Sequence, residues 1–71
     1  MNKIKFYRLE LGLSQQDLGE ASQLRRWKVA LIESGIHEPT SFERAALSRA
    51  LGVQEASLFG FMGSEKLSDA E

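Results

Sequence analysis

Four residues punctuate this chain. Gly12, Gly35, Pro39 and Gly52 divide it into segments whose apolar residues recur at helical rather than strand spacing, so the expected fold is all-helical. Asn2 can cap a first helix in which Ile4, Tyr7 and Leu11 share a face, and Gly12 suits the left-handed position that ends it. Ser14, with Asp17 three residues on, opens a second helix over residues 15–22. Thr40 and Glu43 form a capping box for another, whose stripe Phe42, Ala46, Leu47, Ala50 and Leu51 is closed by Gly52. A last helix is predicted over residues 54–61.

The informative segment is residues 24–34. At about 100° per residue, Val29 and Ile32 fall on one face, with Trp27, Ala30, Leu31 and Ser34 opposite and Arg26 at the edge. One face suits a core, while the other offers an aromatic, an aliphatic and basic groups. Two short helices joined by a turn of three or four residues, the second with a basic outer face, meet the requirement for insertion into a DNA major groove, which is wide enough for one helix. Charge is distributed to match. The chain is -1 overall, but residues 1–28 hold six basic and three acidic side chains and residues 29–71 hold three and seven.

Other classes are excluded by size and composition. With 71 residues there is room for one domain, expected over residues 1–62, and residues 63–71 read as a polar, flexible tail. The absence of cysteine removes disulfides, thiolate metal sites and cysteine nucleophiles. No metal-ligand spacing or glycine-rich phosphate loop occurs, so no metal, cofactor or small-molecule ligand is expected. His37, the single histidine, lacks the orienting partner and nucleophile that catalysis needs, so it reads as a loop residue in a protein that is not an enzyme. The longest apolar run is residues 29–32, too short for a membrane span or a signal peptide, and a cytoplasmic protein is expected.

The run Leu13, Ser14, Gln15, Gln16, Asp17, Leu18, Gly19, Glu20, Ala21, followed by Val29, Ile32, Glu33, Gly35 and Pro39, resembles the Cro/C1-type (XRE-family) helix-turn-helix proteins of bacteria and phages. The resemblance covers roughly residues 3–59. It implies a five-helix bundle of the lambda-repressor-like type and sequence-specific binding of double-stranded DNA, as in small repressors and controller proteins. The recognition helix is expected at about residues 25–34. By the same resemblance Gln15 and Gln16 sit where the second helix meets phosphate, Arg26 and Trp27 match positions that meet base edges, and Leu31 matches another reading position. Arg25 and Lys28 suit phosphates. Arg8 and Glu33 match a structural ion pair. The family usually works as dimers on palindromic operators, and Phe59, Phe61 and Met62 are the candidate dimer surface.

Three positions depart from the family pattern. Gln23 stands where the turn usually has glycine, Arg25 where Ser or Thr usually caps the third helix, and Gly19 where a small alanine is usual. The alternative reading is a protein-interaction module, such as an antitoxin or the partner of a regulator, that uses the Trp27 and Leu31 face.

Overall fold

Local capping chemistry sets where the helices start. The Ser14 hydroxyl accepts from the Asp17 amide while the Asp17 carboxylate accepts from the Ser14 amide, both at 2.9 Å. Thr40 and Glu43 repeat the arrangement at 3.1 and 3.0 Å. The computed structural model describes residues 2–60, which form five helices: α1 (Ile4–Glu10), α2 (Gln15–Ser22), α3 (Arg26–Ser34), α4 (Ser41–Leu51) and α5 (Glu55–Phe59). No strand occurs among the described residues, and no helix there is long and apolar enough to cross a membrane.

Helices α1 to α4 also stop alike. In each, the amide that follows a left-handed residue donates to a carbonyl five residues back: Leu13 to Arg8, Leu24 to Gly19, Ile36 to Leu31 and Val53 to Ser48. Three of the left-handed residues are glycine, and the fourth is Gln23, at φ 63°. The family's glycine is absent here, yet its conformation is kept. The Cβ of Gln23 therefore carries a strain that glycine avoids.

The core is built from the inward positions of every helix. Ile4, Leu18, Val29, Ile32, Leu47, Leu51 and Leu58 form one buried cluster, flanked by half-buried Tyr7, Leu13, Leu24, Ala50, Val53 and Phe59. Helix α2 lies between α3 and α4 and packs on both. Its approach to α3 is unusually close: a Cβ built on Gly19 would stand 2.8 Å from the Leu24 carbonyl oxygen and 3.4 Å from the Arg26 amide nitrogen. The chain is held shut by the Lys3 amide, which donates to the Leu58 carbonyl at 2.8 Å.

Some expectations need correction. Asn2 does not cap α1 in the ordinary way; its Oδ1 accepts from the Ile4 amide at 3.1 Å, and Lys3 holds the capping position without a side-chain bond. Phe42 is 65% exposed despite its place in the apolar stripe of α4. It lies on the first turn of α4 and lines a shallow groove with Ala21 of α2, Gln23 and Arg49, which leaves most of its ring open to solvent. Leu11 follows the last residue of α1 and is also exposed. Helix α5 ends at Phe59, short of the expected end. Of the candidate dimer residues only Phe59 can be placed; Phe61, Met62 and the expected tail lie outside the described residues.

Candidate nucleic-acid interface

Helices α2 and α3, joined by Gln23, Leu24 and Arg25, form the helix-turn-helix. The inner face of α3 is fixed by complete burial of Val29 and Ile32. Asn2 adds a tether: its Nδ2 donates to the Ile32 carbonyl at 2.7 Å. On the outer side, Arg25 and Arg26 are exposed and Trp27 is 59% exposed, while Ala30 and Leu31 are half-buried. The spacing therefore places Val29 and Ile32 inside and Trp27 and Ser34 outside as observed, while Ala30 and Leu31, expected on the outer face, are partly covered. Neither Arg25 nor Arg26 makes an ion pair among the described residues. The first turn of α3 thus presents two unengaged guanidinium groups and an indole ring beside a positively polarised helix end.

The relation of α2 to α3 is set by one polar network. Arg8 Nε donates to Glu33 Oε2 at 2.6 Å, Arg8 Nη2 donates to Oε1 at 3.2 Å, and Arg8 Nη1 donates to the Leu13 carbonyl at 2.8 Å. Both charged side chains are more than nine-tenths buried, at 8% and 6% exposure. Gln15 joins them, its Nε2 donating to Glu33 Oε1 at 3.1 Å. One buried carboxylate therefore ties α1, the start of α2 and the end of α3 together. Gln15 uses one amide hydrogen in this bond, and its side chain has a second donor and an acceptor. Gln16 instead faces Glu20, to which its Nε2 donates at 3.0 Å.

Lys28 is engaged in a way the sequence did not signal. Its Nζ donates to Glu43 Oε2 at 2.8 Å and lies 5.4 Å from the Trp27 ring centroid. The partner is fifteen residues away, on α4, where the sequence marks it only as half of a capping box. His37 Nε2 stands 3.4 Å from the other oxygen of the same carboxylate. The hydrogen bond from Lys28, followed by that from the Thr40 amide, pulls the Glu43 pKa from 4.5 down to about 2. A depressed carboxylate contributes stability that is complete above its unfolded pKa and is lost as pH falls through the window from 4.5 to about 2. With screening at the partly exposed lysine, that contribution is about 1–2 kcal/mol. Glu43→Gln is accordingly expected to lose less melting temperature than the wild-type protein between pH 6 and pH 3. Equal losses in thermal melts would remove Glu43 from the acid sensitivity of the fold.

The helix-turn-helix family model matches residues 4–58, a span that includes every helix described except the final residue of α5. No curated protein and no solved structure matches the chain. The matched span begins with the first residue of α1, contains the Arg8 to Glu33 network, and carries the exposed first turn of α3 on its outer side. By motif, helix order and family match together, this chain belongs to the Cro/C1-type helix-turn-helix family of DNA-binding regulatory domains.

Proposed function

We propose that the chain is a sequence-specific transcriptional regulator that inserts α3 into the major groove of its operator. The observation that carries this reading is the exposed set Arg25, Arg26 and Trp27 at the start of a helix whose inner residues Val29 and Ile32 are wholly buried, the two arginines making no ion pair among the described residues. In this reading Arg26 makes a bidentate contact to guanine, Trp27 packs on a thymine methyl or a sugar, and Leu31 adds apolar contact one turn on. Gln15, Gln16 and Arg25 hold phosphates and set the register without reading sequence.

Selection of duplexes from a random library, followed by salt titration of the winner, tests it. Arg26→Ala should cost about 1–3 kcal/mol and relax preference at one base pair per half-site. Arg25→Ala should weaken all sequences alike and lower the salt slope by about one. Trp27→Ala should lose specific affinity with its melting temperature retained. If these variants bind DNA as the wild-type protein does, α3 is not the reader, and the exposed indole belongs to a protein-binding surface instead.

The regulator is proposed to act as a homodimer on a palindromic site, its two α3 helices meeting half-sites about 34 Å apart. Phe59, Phe61 and Met62 are the proposed contact. Sedimentation should give a dimer on the selected duplex. A single monomer bound per palindrome would overturn the arrangement.

A further inference from the structure

We propose that Glu43 is a positioning residue for base readout: it holds the Lys28 ammonium off the DNA backbone and against the face of Trp27. The proposal rests on the reading of α3 as the recognition helix and assigns a role to a residue on α4. Its basis is the geometry of three side chains from two helices. The Lys28 Nζ lies between an anion 2.8 Å away and an aromatic ring whose centroid is 5.4 Å away, within the range of a cation–π contact.

The anion is itself fixed. Glu43 is 9% exposed, its Oε1 accepts from the Thr40 amide at 3.0 Å, and His37 Nε2 lies 3.4 Å from that oxygen. The carboxylate therefore cannot follow Lys28 toward a phosphate without opening the cap of α4. Withdrawing Lys28 alone would leave a buried carboxylate without its closest cation, which opposes the exchange. Arg25 and Arg26 carry no such restraint among the described residues.

Two consequences follow for a helix that reads DNA. A cation already neutralised by the protein displaces no counterion from the duplex, so Lys28 adds nothing to the salt-dependent affinity that all sequences share. The same cation limits rotation of the indole beside it, so the ring meets the groove in a preset orientation. Glu43 thereby shifts the balance from general affinity toward discrimination.

The test combines salt titrations on a selected and a mixed-sequence duplex with fluorescence anisotropy decay of Trp27, the chain's one tryptophan. Lys28→Met, which keeps most of the stem and removes the charge, should leave the salt slope unchanged but reduce the ratio of selected to mixed binding. Glu43→Gln should steepen the slope by about 0.9, the increment of one added phosphate contact. Arg25→Ala, the control, should lower it by a similar amount. In the free protein, both Lys28→Met and Glu43→Gln should speed the local motion of the indole. A slope that falls in Lys28→Met as it does in Arg25→Ala would overturn the proposal, as would unchanged indole motion in both variants. Should Glu43→Gln fail to fold, Lys28→Met decides alone. If no variant alters DNA binding, the reading of α3 fails, and the anisotropy of the free protein still decides whether Lys28 restrains Trp27.

Discussion

Glu33→Ala is expected to destabilise the domain by about 3–5 kcal/mol, because it strands the Arg8 guanidinium in a site where both partners are more than nine-tenths buried. Gln15 loses its acceptor in the same step. A domain of 71 residues has a total stability of roughly 4–10 kcal/mol, so the variant should be largely unfolded or melt more than about 10 °C lower. Removing both charges is a separate case. Arg8→Met with Glu33→Leu leaves no buried ion and should recover much of the loss, since apolar replacement of a buried pair is often neutral. Thermal and urea melts of the single and double variants measure the difference. A Glu33→Ala protein as stable as wild type would show that the network does not hold the helices together.

Gly19→Ala should also destabilise, by about 1–3 kcal/mol, even though alanine is the better helix former by about 1 kcal/mol. Its Cβ would meet the Leu24 carbonyl oxygen at 2.8 Å, a backbone atom with no rotamer to give. Relief requires α2 and the turn to separate. Gly19→Val needs more room and should cost more. If Gly19→Ala melted higher than the wild-type protein, the helix contact would have to be looser than this distance describes. The family's usual alanine at this position and the present glycine are therefore not equivalent: here the turn approaches α2 more closely than a methyl group permits.

Local chemistry was the legible part of this structure. Ser14 with Asp17, and Thr40 with Glu43, announce helix starts because each pair acts within three residues, and the two-faced pattern around Val29 and Ile32 announces which side of α3 is buried. The Arg8 to Glu33 pair was legible only through the resemblance, since its members are twenty-five residues apart. Lys28 and Glu43 had no such guide. Their pairing depends on how α3 crosses the start of α4, which periodicity does not encode. Phe42 misled for a related reason: helical spacing places it with Ala46, but spacing carries no information about how much of a ring the neighbouring helix covers. Gln23 kept the glycine conformation because the bonds from its own amide and from Leu24 close the turn around it.

The anchoring of α3 has a consequence for how the energy of recognition is divided. Its inner face is locked by Val29 and Ile32, its last turn is held by Asn2 through the Ile32 carbonyl and by Arg8 through Glu33, and its start is braced against Gly19. A helix fastened at its middle and both ends cannot swivel to suit an imperfect groove. In the proposed mode of binding the duplex must supply the adjustment, so a site whose base steps bend or narrow easily is expected to bind better than a stiff site with the same contacted bases. Discrimination by the proposed reader would then extend to base pairs that no side chain touches, and the entropic cost of ordering on association would fall on the nucleic acid rather than on the protein backbone.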